Sequence, residues 1–216
     1  MKIISTTFLF ILLFCLNLQA SSESENGKWV NLFNGKNLSG WHNPYPHGEF
    51  KVVKGIIELV GNKKFFLAHD KKFSDFTLEA EIKLPEGKAN SGFLFRSQKR
   101  ENGSMFGYQA EVDGSDRKWS GGLYDEGRRG WIHPKKPIEN PYNKKNWKID
   151  RQEAFKRNDW NHYKIHCKGD HIQIWVNGIK TTDLKDSTDA KGFIAIQHHG
   201  EKGQIYRFKN IKILEL

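Results

Sequence analysis

The chain alternates between apolar and polar positions over most of its length. Phe76 to Leu84 does so without a break, which puts Phe76, Leu78, Ala80, Ile82 and Leu84 on one face of a strand. The same period of two returns at Phe93 and Phe95, at Tyr108, Ala110 and Val112, in Ile172–Val176, and in the closing stretch Phe208–Leu216. Asn177-Gly178 stands between two short apolar runs and predicts a two-residue hairpin turn. About ten such segments, separated by Gly, Asn, Asp and Pro and with no amphipathic helix of three turns, predict an all-β fold. Two antiparallel sheets packed as a jelly-roll sandwich satisfy that pattern, and such a sandwich offers one curved face as a ligand groove. Arg117 to Asn158 breaks the alternation and is too long for a hairpin loop, so it is expected to carry function.

The N-terminus follows another pattern. Lys2 precedes an apolar run from Ile3 to Leu18, and Gln19-Ala20 leads into a polar stretch from Ser21. A basic start, a short apolar run and a small residue before polar sequence predict a secretory signal over 1–20, with a polar linker at 21–28 and one domain at 29–216. Export to the periplasm or medium is the expectation. Cys15 is the one position where lipidation could anchor the chain to a membrane, although Phe14 is a poor residue before a lipidated cysteine. Removal of the signal leaves Cys167 as the sole thiol, so no internal disulfide is expected and stability must come from the core. Fifteen Phe, seven Trp and six Tyr among 216 residues supply enough apolar area for one.

The formal charge of +10 is concentrated in one place. Arg128 to Asn158 carries ten basic residues against three acidic ones, a net +7 in the long irregular stretch. A basic loop on an exported chain points to an anionic glycan, an envelope surface or simple solvation, and away from a nucleic-acid reader. No CxxC or HExxH spacing occurs, and the nine histidines show no structural-zinc pattern.

Several blocks of sequence carry a resemblance. They are Trp29-Val30-Asn31-Leu32-Phe33-Asn34-Gly35, Asn90-Ser91-Gly92-Phe93-Leu94-Phe95-Arg96, Gly107-Tyr108-Gln109-Ala110-Glu111-Val112 and Gly121 to Trp131, followed by Trp160-Asn161-His162-Tyr163, Trp175-Val176-Asn177-Gly178 and Gly192 to Gly200. In this order they resemble the bacterial 3-keto-disaccharide hydrolase domain, over the whole of 29–216. The resemblance implies a concanavalin A-like jelly roll acting on glycosides already oxidised to a ketone at sugar C3. That ketone acidifies the C2 proton and makes the C1 substituent a β-leaving group. A base for C2–H, a donor or cation for the enolate and an acid for the departing oxygen are then required.

Strand parity nominates residues for these roles. With Tyr108, Ala110 and Val112 inward, Gln109, Glu111 and Asp113 share the opposite face about 7 Å apart, and Glu111 is the leading base. Phe93 and Phe95 inward would put Arg96 outward, where its fork could hold the enolate, although Arg96 and Glu111 could instead form a cross-strand ion pair. His199 has the ordinary pKa for proton transfer. His198 stands where the resemblance leads one to expect an acidic residue in many relatives, a departure that argues against a cation site there. Tyr124 and Trp131 are expected as sugar platforms, with Asp125, Glu126, Arg128, Arg129 and Gln197 bonding hydroxyls; the Arg–acid group would equally pin the loop. No metal site is assigned, but a divalent cation could assist enolisation, and Glu111, Asp113 and His199 offer it oxygen and imidazole ligands.

Two other readings use the same fold. One is a glycan-binding module without catalysis. The other takes Glu111-Val112-Asp113-Gly114-Ser115-Asp116 as the acid–nucleophile strand of a laminarinase-like glycosidase, whose two carboxyls must face one bond about 5–5.5 Å apart.

Overall fold

The computed structural model describes residues 27–216. The expected signal segment and Cys15 lie outside the described residues. Two antiparallel sheets stack face to face, as the alternation predicts. One contains β1 (Val30–Asn31), β3 (Glu49–Val53), β4 (Ile56–Val60), β6 (Phe76–Lys83), β11 (Asn161–Lys168), β12 (His171–Val176), β13 (Ile179–Lys185) and β15 (Ile205–Glu215). Its order is β13-β12-β11-β6-β15-β4-β3, with β1 also paired to β15. The other contains β2 (Trp41–His42), β5 (Phe65–Phe73), β7 (Asn90–Lys99), β8 (Met105–Asp113), β9 (Leu123–Glu126), β10 (Gly130–His133) and β14 (Gly192–His198). Its order is β10-β9-β8-β7-β14-β5-β2. Each sheet joins sequential hairpins, β11-β12-β13 and β3-β4 in one and β7-β8-β9-β10 in the other, through long-range pairings such as β6-β15 and β7-β14.

The inward faces interdigitate through large rings. Phe93 on β7 meets Phe208 on β15 edge to face at 5.8 Å and Tyr163 on β11 at 5.2 Å, tying the two sheets at their centres. All three are essentially inaccessible to solvent, and each such side chain contributes about 1.5–3 kcal/mol relative to exposure. Cys167 is buried in the same core, and burial pushes its thiol up to about 12, an inert structural group. Val176 pairs with Ile179 across Asn177-Gly178, both at positive φ (49° and 84°), which is the predicted hairpin.

The 117–158 stretch is more ordered than its composition predicts. It holds β9, β10 and two short helices, α1 (Pro141–Asn146) and α2 (Ile149–Gln152). The Asn140 side chain caps α1 by accepting from the Tyr142 amide, and Pro141 needs no amide partner at that position. Asn143 accepts from the Lys135 amide and donates to the Lys135 carbonyl, so the helix is fastened to the strand that precedes it. The Trp147 indole donates to the Lys118 carbonyl at 3.1 Å and closes the flap against the sheet.

Candidate active site

The outward face of the seven-stranded sheet forms the floor of a cavity of about 440 Å³. Parity places its side chains as expected on β8: Tyr108, Ala110 and Val112 join the core, whereas Gln109, Glu111 and Asp113 line the cavity. On β14, Ile194 and Ile196 point inward and Gln197 points to the cavity, followed by His199 just past the strand end. Asn90 on β7 and Tyr124 and Glu126 on β9 complete the floor, and Trp131 and Lys136 from the long stretch form a wall.

Glu111 is 3% exposed. Its Oε1 accepts from Asn90 Nδ2 at 2.5 Å and from Arg117 Nη2 at 3.1 Å, and its Oε2 accepts from Gln109 Nε2 at 3.0 Å. The Tyr163 hydroxyl crosses from the other sheet to donate to the Glu111 carbonyl at 2.9 Å, which fixes the backbone beneath it. Burial, reinforced by the charge of Asp113, raises the Glu111 pKa to about 7 against the opposing effects of Asn90, Arg117 and Gln109. A carboxylate that exchanges its proton near neutrality is suited to base catalysis.

Asp113 behaves oppositely. Burial alone would raise its pKa, but the Ser115 amide, the Arg117 guanidinium and the Trp119 amide overcome that and hold it below the usual range. Two carboxylates on one strand face are thereby driven apart: Asp113 stays charged and structural, while Glu111 titrates. Arg117 reaches both, with Nε 2.9 Å from Asp113 Oδ2, and lies 4.7 Å from the Trp131 ring centre and 5.1 Å from that of Trp119.

His199 pairs through Nδ1 with Glu201 Oε1 at 2.9 Å, and that bond raises its pKa. Glu201 in turn accepts from the Tyr206 hydroxyl; burial opposes its ionisation, but His199 and Tyr206 hold its pKa down at about 2. The Glu201 carboxylate therefore favours the protonated imidazole. His198 turns the other way, buried and stacked on Phe65 at 5.3 Å, a core residue.

Four sequence-derived assignments are corrected. Arg96 is not in the cavity. A register shift between Leu94 and Gln98 and a positive φ of 45° at Arg96 rotate its side chain away from the alternation that predicted it. The guanidinium is fully buried and spent on the Ser74 carbonyl (2.7 Å), the Gly169 carbonyl (2.8 Å) and Asp75 Oδ1 (2.8 Å). Asp125, Arg128 and Arg129 are also outside it. On β9 the core residue is Leu123, so Asp125 points inward opposite Tyr108. There it receives Arg128 at 3.0 Å and Arg129, which continue to Asp189 and Asp186 as the loop-pinning network.

The laminarinase-like reading fails on Asp116. That side chain is 65% exposed, bound to Lys88 at 2.6 Å and Arg157 at 2.8 Å, and does not share the Glu111 face. A cation held by Glu111, Asp113 and His199 does not fit either. Arg117 already occupies the carboxylate pair, and among the described residues no three His, Cys, Asp or Glu side chains are grouped to hold a metal ion.

Sequence reasoning missed Arg117, Asn90, Lys64 and Glu201 as site residues. Asn90 opened a block already singled out and Arg117 opened the irregular stretch, but nothing in the sequence indicates that either contacts Glu111. Lys64, bound to Glu126 at 2.5 Å, comes from the distant β5 edge and carries no local signal.

A two-sheet β-sandwich with a polar cavity on its outer sheet face is an architecture found in carbohydrate-handling proteins. The fold is similar to that of a candidate glycosyl hydrolase of Parabacteroides distasonis ATCC 8503 (TM-score 0.59, 19% identity, 90% of this chain and 97% of that one). It is equally similar to the carbohydrate binding module CBM66 of Bacillus subtilis (TM-score 0.59, 20% identity, 80% and 94%). The lumenal domain of VIP36, solved with Ca²⁺ and Man3GlcNAc, has a TM-score of 0.54 at 9% identity, over 90% of each chain. Residues 28–214 match the 3-keto-alpha-glucoside-1,2-lyase-like domain, and the chain belongs to that family, as the sequence blocks implied. No curated protein matches the chain.

Proposed function

We propose that the protein cleaves 3-keto-glycosides by elimination, with Glu111 as the base. The observation that carries this reading is a buried carboxylate with a pKa of about 7 on the floor of a sugar-sized cavity. Ionised Glu111 takes the C2 proton, and the C2–H electrons form a C2=C3 double bond as the C3 ketone becomes an enolate. Arg117 supplies positive charge beside Glu111 and takes the enolate-stabilising role first assigned to Arg96. The enolate then expels the C1 oxygen, which leaves a C1=C2 double bond, and the His199 cation gives its proton to the departing alkoxide. Addition of water across the enone completes a net hydrolysis. Tyr124 and Trp131, whose rings meet at 5.1 Å, offer flat faces to the sugar. The expected signal sequence makes the periplasm or medium the place of action.

The similarity to CBM66 favours one other reading, glycan binding without turnover. The experiment is incubation with a 3-keto-glucoside, its unoxidised parent and a β-glucan, following enone absorbance and new reducing ends. Turnover of the keto sugar alone is expected. Binding without turnover would replace catalysis with recognition, and β-glucan cleavage would overturn the elimination chemistry.

A further inference from the structure

Gln197 is fully buried and lines the cavity, yet its Oε1 has no hydrogen-bond partner among the described residues. Its other end is engaged. Gln197 Nε2 donates to Gln109 Oε1 at 3.2 Å, and Gln109 Nε2 donates to Glu111 Oε2 at 3.0 Å. Two amides thus form a chain running from the cavity to the carboxylate. Gly92 makes the chain geometrically feasible. It pairs with Glu111 across β7 and β8 and has no side chain, so Gln109 lies across the gap between β8 and β14.

The direction of this chain is dictated by chemistry. An ionised carboxylate only accepts, so Gln109 must present its NH₂ group to Glu111 and its oxygen to Gln197. Gln197 must then present its own NH₂ group to Gln109, which leaves its oxygen as the unpaired acceptor at the other end of the chain. With Glu111 ionised, the cavity end of the chain is an acceptor. A ketone, ether or carboxylate oxygen cannot satisfy it, whereas a hydroxyl can. With Glu111 protonated, both amides can reverse, and the cavity end becomes a donor.

We infer that Gln197 reads a ligand hydroxyl through Oε1, and that its hydrogen bond to Gln109 holds it in the orientation for that contact. The inference rests on the elimination reading only for the identity of the ligand. It also separates the sugar's groups: the C3 ketone does not sit against Gln197.

The test uses both anomers of methyl 3-keto-glucoside and their 2-, 4- and 6-deoxy analogues, with Kd by calorimetry and kcat and kcat/KM across pH. One deoxy analogue is expected to lose about tenfold to a hundredfold in affinity, the range for a buried acceptor left unmet. In Gln197→Met the parent and that analogue should bind equally. The inference is overturned by equal binding of the whole series to the unaltered protein, or by discrimination that survives Gln197→Met. If the variant does not fold, the analogue series on the unaltered protein decides. Binding without turnover would remove the elimination reading and leave the Kd comparison to decide on Gln197, whereas failure to bind any of the series overturns both.

Discussion

Gly92 lies beneath Gln109 so closely that a Cβ on Gly92 would stand 2.4 Å from the Gln109 Cδ. The contact is a requirement of the site rather than of the backbone, because Gly92 sits in regular strand β7 opposite Glu111. Gly92→Ala should therefore fold but displace Gln109 from Glu111. The expected result is a cost of about 1–3 kcal/mol in stability, from the forced shift of a packed side chain, together with a lower kcat for keto-sugar turnover. Thermal unfolding and steady-state kinetics on one preparation check both parts.

Glu111→Gln should abolish keto-sugar turnover and leave the sandwich intact, while the unaltered protein gains activity as pH rises through about 7. Full activity in the variant would exclude Glu111 as the base. Stability should move the other way. In the unfolded chain Glu111 ionises near its ordinary 4.5, but in the folded protein it keeps its proton up to about 7. Between those values the folded state binds more protons, so stability falls as pH rises through this window. The loss approaches about 3 kcal/mol for this one group, and denaturant titrations of the two proteins at pH 4.5 and pH 8 should show it absent from Glu111→Gln.

Arg117 lowers the pKa of Glu111 by its charge. In Arg117→Met that support is lost, so the acid limb of kcat/KM should shift to higher pH, with the maximum rate also reduced. An unshifted limb in a folded, active variant would separate Arg117 from the titration of Glu111.

The Glu201 carboxylate is the principal reason that the His199 pKa is raised. Glu201→Gln should let His199 deprotonate earlier, so the alkaline limb of the keto-sugar pH profile should move to lower pH. A profile unchanged on that side would show that His199 does not act as the acid.

Arg96→Met is expected to affect stability rather than chemistry. It removes donors from the Ser74 and Gly169 carbonyls and from Asp75, and the loss should be about 3 kcal/mol or more. The fraction that remains folded should turn over the keto sugar at an unaltered kcat, which active-site-normalised kinetics would show.

The sandwich, the hairpin at Asn177-Gly178 and the orientation of β8 were all legible in the chain, because a strand's side chains alternate strictly and the core selects one face. That parity alone put Glu111 and Asp113 on the cavity side, and the same rule could have excluded Asp125, which shares the Leu123 face. The periodicity failed at Arg96 because a bulge resets parity, and no composition signal marks a bulge of this kind.

Alternation along the sequence, then, determined the fold class and the strand face on which Glu111 and Asp113 lie, and the ordered sequence blocks determined the family to which the chain belongs. What it could not determine was how two nearby carboxylates divide their roles. Glu111 and Asp113 are chemically similar and two residues apart, and Arg117 reaches both; their pKa values separate because burial dominates at Glu111, whereas at Asp113 the Ser115 and Trp119 amides join Arg117 to overcome it. Those partners come from β7, from the turn after β8 and from the start of the long basic stretch. Only the tertiary structure brings them together, since desolvation and charge act through space and leave no trace in the order of residues.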